Sequence, residues 1–162
     1  MNAAEMERTW FRTQSREWRT LAIVPTEIES SEAAFSMAKL IIELGAEHDE
    51  KLNLADFRNI PLSRLSPLLQ MAASYVKDGQ RLVYATQPID ENPATVPVAR
   101  AADCVLLCVS LGKTSIRKIE DAIDQIGRER FLGSVVFRHT RSKKPTRETG
   151  IVVRNETAEM RR

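Results

Sequence analysis

The chain has 162 residues, enough for one domain with a single sizeable core. Hydrophobic residues make up 43% and charged residues 28%, which excludes extended disorder, and no apolar run approaches the roughly 20 residues that span a bilayer. A net charge of +2 is too small to indicate a nucleic-acid binder, and the opening MNAAEMERTW has no apolar signal core, so a cytoplasmic chain is expected.

Residues 5–19 read as an N-terminal amphipathic helix that sets Trp10, Phe11 and Trp18 against the domain or a neighbouring subunit. LAIV (21–24) is a short apolar strand broken by Pro25 and Thr26. Thr26-Glu27-Ile28-Glu29 has the spacing of a capping box for a helix running to about Leu44, with Gly45 as its C-cap. Residues 50–58 form a weak second strand. Leu62 to Lys77 is helical, interrupted early by Pro67, and ends before Asp78-Gly79. RLVYA (81–85) is a third strand, followed by Thr86-Gln87-Pro88 and a proline-rich loop from Ile89 to Pro97. A short helix over Ala99–Ala102 leads into CVLLCVSL (104–111), a continuous apolar run typical of a strand buried on both faces. Ser115 to Arg128 is an amphipathic helix with Ile116, Ile119, Ala122, Ile123 and Ile126 on one face, and GSVVFRH (133–139) is the last strand.

Strands alternating with helices predict an α/β fold, a mostly parallel sheet flanked by helices in a three-layer sandwich. Three parts follow: a helical segment 1–19, the α/β domain 20–140, and a basic tail 141–162 with seven bases against three acids. Residues 21–58 are the acidic counterpart, with eight acids against three bases. The tail is a solvated end, or a contact for an acidic partner or an anionic membrane surface. Cys104 and Cys108 lie on one face of the strongest strand as buried thiols. Without neighbouring histidines they make neither a zinc site nor a disulfide framework.

In such folds, ligands bind beyond the carboxyl ends of the strands, which directs attention to loops 25–31, 55–60, 86–92 and 110–114. The first strand-to-helix turn, PTEIESSEAA from Pro25 to Ala34, stands where nucleotide-binding α/β proteins cradle a phosphate. It has no glycine and no lysine, and Glu27, Glu29 and Glu32 occupy it instead. A hydroxyl at Thr26 and first-turn acids make a self-sufficient helix start. Gly112-Lys113-Thr114-Ser115 imitates the end of a phosphate loop, but the glycine such a loop needs five residues earlier is Leu107, inside the strand. His48 and His139 have no recognisable nucleophile partner.

The stretch from Arg81 to His139 resembles the bacterial tyrosine kinases of capsule and exopolysaccharide synthesis, deviant-Walker P-loop ATPases of the MinD and ParA superclass. The likeness rests on Leu82–Ala85, Thr86–Pro88, Ala102-Asp103, Val105–Val109, Thr114–Ile126 and Gly133. Ser36-Met37-Ala38 through Gly45 is similar to the helix after the family's phosphate loop, and Ala55-Asp56-Phe57-Arg58 to part of its second acidic motif. The likeness spans residues 20–139, with the stronger motifs in the second half.

The resemblance implies a P-loop-NTPase-like fold, and the departures imply that its chemistry is lost. The vestigial pocket positions are Thr26, Glu29, Ser30, Ser31, Asp56, Arg58, Ala85, Thr86 and Gln87. The lysine position falls near Ser30, Leu54 replaces the first carboxylate of the acidic motif, and Ala85 the strand-end aspartate. The only tyrosines, Tyr75 and Tyr84, are internal, so the tyrosine-rich tail is missing. No catalytic residue and no metal ligand is assigned, and neither ATP nor magnesium binding is expected. The resemblance implies a pseudo-ATPase in polysaccharide export. It would act through a membrane-anchored chain-length regulator, an intact kinase homologue or a homo-oligomer, with Trp10, Phe11 and Trp18 as contacts. Membrane contact would be at most peripheral, by recruitment to the inner face, and nucleic acid is not expected. Two alternatives stand beside this: a weak or partner-completed ATPase or tyrosine kinase, and a MinD- or ParA-like positioning protein.

Overall fold

A computed structural model describes residues 2–139 and 149–154. The helices are α1 (Ala3–Thr13), α2 (Ser31–Glu47), α3 (Leu62–Lys77), α4 (Thr95–Ala101) and α5 (Ile116–Ile126). They alternate with strands β1 (Thr20–Pro25), β2 (Leu52–Asp56), β3 (Arg81–Ala85), β4 (Cys104–Ser110), β5 (Phe131–His139) and β6 (Thr149–Arg154). The strands form one sheet in the order β2-β3-β1-β4-β5-β6. The first five are parallel and β6 runs antiparallel on β5. This is the mostly parallel three-layer sandwich that the alternation predicts. Parallel neighbours require crossovers, and each crossover lays a helix on a face of the sheet.

One face carries α1 and α2, burying Trp10, Met37, Ala38, Ile41 and Leu44 against Leu21, Ile23 and Cys108. The other carries α3, α4 and α5, burying Leu65, Val98, Ile123 and Ile126 against Val24, Leu107 and Val109. β4 alternates between the two cores and is buried along its whole length, as its unbroken apolar run requires. Both cysteines are free and buried, and burial pushes the Cys108 thiol far above its ordinary range. No helix among the described residues is long and apolar enough to cross a membrane.

Several elements differ from the sequence expectation. The N-terminal helix stops at Thr13, where the Gln14 N–H bonds back to Trp10 O and Phe11 O. Trp18 lies beyond it, donating its indole N–H to Thr13 O at 2.6 Å under the Arg81 guanidinium. α2 begins at Ser31 rather than just after Thr26, and runs through Gly45 to Glu47. Gly45 is therefore no C-cap. A Cβ there would sit 2.8 Å from Leu52 Cδ1, so the glycine allows the helix to lie close to β2. α3 passes through Pro67 without a break. As the sixth residue of α3, Pro67 leaves the Ser63 carbonyl without its helical N–H partner, at an exposed position where water can take that place. α4 starts at Thr95, inside the expected loop, because Pro97 sits in its first turn, where proline is tolerated. Ile116 opens α5 and is exposed rather than on the buried face. Residues 149–154 of the expected tail form β6, while 141–148 and 155–162 lie outside the described residues.

Candidate functional site

The carboxyl ends of β1, β2, β3 and β4 meet at one edge of the sheet, where the crossovers from β1 and β4 leave to opposite faces. The β1 turn does not cap α2 with Thr26. The chain continues its pairing with β4 one residue past Pro25, so the Thr26 N–H donates to Cys108 O at 2.9 Å. The buried Thr26 hydroxyl donates to the same carbonyl at 3.0 Å and lies 2.9 Å from Thr114 Oγ1. Thr114 Oγ1 in turn accepts from the Ser110 N–H at 3.1 Å. Each hydroxyl has one proton, so the chain of bonds runs from Ser110 N–H through Thr114 and Thr26 to Cys108 O.

A short 3-10 turn, Ile28–Ser30, then leads into α2. The Ser30 hydroxyl is fully buried and donates to Glu27 O at 2.8 Å, while Ser30 Oγ accepts from the Glu27 N–H at 3.2 Å. Ser31 Oγ reaches the same carbonyl at 3.4 Å. Glu29 is exposed. No residue from Pro25 to Ala34 has positive φ, so the backbone lacks the left-handed step of an anion-binding nest. Glu27 does not face open solvent as a repelling charge. Its carboxylate, 17% exposed, meets Lys118 Nζ of α5 at 2.7 Å, and Asp90 closes on the same ammonium at 3.0 Å. The hydrogen bond to Glu27 holds the Lys118 ammonium above its ordinary pKa. A cleft of about 280 Å³ lies beside this pair, with Pro25 and Ala122 among its walls.

The outer strand ends are closed differently. Asp56 takes the Arg58 guanidinium in a two-pronged bond at 2.9 and 2.8 Å and also accepts from the Arg58 N–H at 3.0 Å. The side-chain bond to Arg58 keeps the Asp56 carboxyl below the usual aspartate range. Arg58 lies 3.5 Å over the Phe35 ring of α2. Ala85 is level with Asp56 on β2 and with Ile23 on β1, and is buried. The Thr86 hydroxyl donates to Ile23 O at 2.9 Å. Gln87 joins the β2 and β3 loops. Its Oε1 accepts from Asn59 N–H at 2.7 Å and Asn92 Nδ2 at 3.0 Å, and its Nε2 donates to Asn59 Oδ1 at 3.0 Å.

Two groups therefore form among the expected pocket positions. Thr26, Ser30 and Ser31 gather at the β1 turn; Asp56 with Arg58, and Thr86 with Gln87, gather at the β2 and β3 ends. Sequence reasoning missed Lys118, Asp90, Thr114, Phe35, Asn59 and Asn92, which supply most of the partners. The one local signal was at the Gly-Lys-Thr-Ser segment. Gly112 adopts φ +80°, Thr114 bonds Thr26, and Ser115 Oγ caps α5 by accepting from the Lys118 N–H at 3.2 Å. Those hydroxyls are committed to the protein itself. The expected aromatic contacts need correction: Trp10 and Trp18 are buried in the chain's own core, and Phe11 alone of the three, 62% exposed, is open to a partner. Trp10 is held there by stacking on His48 at 5.2 Å.

No protein-family profile matches the chain, and no curated protein matches it. A crystal structure of the chimerical protein CapA2B2 superposes with a TM-score of 0.59 at 11% identity, covering 80% of this chain and 80% of that one. At that identity the likeness shows a shared fold, the α/β three-layer sandwich described above.

Proposed function

We propose that this protein is a non-catalytic relative of the bacterial tyrosine kinases, a pseudo-ATPase that regulates capsule or exopolysaccharide synthesis through protein contacts. The observation that carries this reading is the β1 turn. Its residues bond one another and the β4–α5 loop where a phosphate-binding relative would leave backbone N–H groups free. The motifs between Arg81 and His139 and the fold shared with CapA2B2 support the family assignment. Without a lysine at the phosphates and paired acids for magnesium, the site lacks the parts that phosphoryl transfer uses. The remaining role is recognition, with a membrane-anchored chain-length regulator or an intact kinase homologue as partner.

Calorimetry with ATP, with and without magnesium, tests the site directly. No heat of binding is expected up to millimolar ATP, whereas saturable binding to the protein alone would overturn the reading. Binding that arises only when a partner is added would favour a partner-completed kinase. Recovery of a polysaccharide-export component in a pull-down, with altered polysaccharide in a deletion strain, tests the role. Recovery of no such component, together with unchanged polysaccharide in the deletion strain, would remove it.

A further inference from the structure

We propose that β2 takes up an extended peptide of another protein as a further strand, one that is apolar at alternate residues and acidic at one end. β2 closes one side of the sheet, paired only to β3. The Phe57 N–H donates to Ala85 O at 2.9 Å, so Asn53, Ala55 and Phe57 turn their backbone groups to β3. The N–H and C=O groups of Leu52, Leu54 and Asp56 therefore point away from the sheet. Edge strands are commonly guarded by lysine, proline or a bulge, and Leu52–Asp56 has none of these.

The space beside the edge sets what it can hold. A groove of about 340 Å³ runs between β2 and α3, with Ala55 and Phe57 on the strand side and Leu68, Met71 and Tyr75 along the helix. Met71 and Tyr75 are exposed. A strand laid on β2 would turn every second side chain to the α3 face and into this groove, while its backbone meets the outward groups in about five hydrogen bonds. A second β2 paired antiparallel would bring only Asn53 and Ala55 to that face, too little to fill the groove; larger alternate residues do fill it. At the amino end of β2 the groove is polar but uncharged, where Asn53 Nδ2 donates to Gln80 Oε1 at 3.1 Å. α3 starts beside the carboxyl end, where Asp56 is already bound by Arg58. Arg64 is exposed there, one turn ahead of Leu68 on the same stripe of α3, and has no ion pair among the described residues. Two guanidiniums against one carboxylate favour a second carboxylate, which the acidic end of the peptide supplies.

Calorimetric titration of the full chain tests this with two capped peptides of about seven residues, alternating leucine with serine and carrying glutamate at the first or the last position. Saturable binding below about 1 mM is expected for at least one of them. Leu54→Pro removes an outward N–H that the chain itself does not use, and should weaken that binding about tenfold or more. Met71→Glu sets a charge in the apolar wall at an exposed position, and should weaken it as well. Exchanging the peptide's glutamate for lysine should weaken binding to the native chain but not to Arg64→Glu. Thermal melts that match the native chain separate lost docking from unfolding. Three results would each overturn the proposal: no saturable binding of either peptide up to about 1 mM, binding indifferent to both Leu54→Pro and Met71→Glu, or equal binding of the lysine peptide. A dimer of the free chain in sedimentation that Leu54→Pro dissolves would also overturn it, because a second copy would then hold the edge. The titration reads neither ATP nor polysaccharide, so its outcome is separate from that of the regulatory role proposed above.

Discussion

The inner and outer strand ends close the same edge of the sheet by different means. At β1 and β4 the closure is buried: Thr26 is almost fully enclosed, and its hydroxyl carries a chain of bonds from Ser110 to Cys108. At β2 and β3 it is partly exposed, with Asp56, Arg58 and Asn59 in contact with water. A lost bond costs most where water cannot replace the missing partner. The centre of the edge should therefore be rigid and costly to alter, and the margin tolerant.

Thr26→Val is the sharpest test of that difference. It keeps the shape but removes the hydroxyl between Cys108 O and Thr114, and should cost about 1–3 kcal/mol in urea unfolding. A loss no larger than that of an exposed substitution would erase the distinction.

Lys118→Met comes next, since it leaves the largely buried Glu27 carboxylate without its ammonium. With Lys118 itself a third exposed and screened by salt, about 1 kcal/mol or less is expected. The folded pKa of Lys118 is raised, so its contribution is complete below the ordinary lysine value of 10.5 and is lost as pH climbs through the folded value. Stability measured against pH should lose part of its alkaline decline in the variant.

The smallest effect belongs to Asp56→Asn at the exposed margin, a few tenths of a kcal/mol at neutral pH. Here the folded pKa is lowered. The stabilisation is present above the ordinary aspartate value of 3.8 and disappears as pH falls through the folded value. The variant should show a flatter acid limb below that value. A cost equal to that of Thr26→Val would show that both ends are closed alike.

What could be read ahead of the structure follows from how local each signal is. β4 was legible because six consecutive apolar residues, Cys104 to Val109, satisfy burial on two faces without reference to any partner. α5 was legible from its period, although Ile116 fell on the exposed first turn. The β1 turn was misread for the same reason in reverse. Thr26-x-x-Glu29 satisfies a capping pattern locally, but one more rung of pairing to Cys108 outcompetes it. Gly45 likewise suits a C-cap in sequence, and only the approach of Leu52 shows that its lack of a side chain serves packing.

The sequence by itself determined the five parallel strands, their crossovers and the absence of glycine and lysine from the first turn, because periodicity and composition are carried by neighbouring residues. The tertiary structure decided which group answers each polar residue. Glu27 and Lys118 lie 91 positions apart and meet only because the β1 and β4 crossovers leave the same edge of the sheet. Composition gives each charge but not its partner, since pairing depends on distances set by strand order.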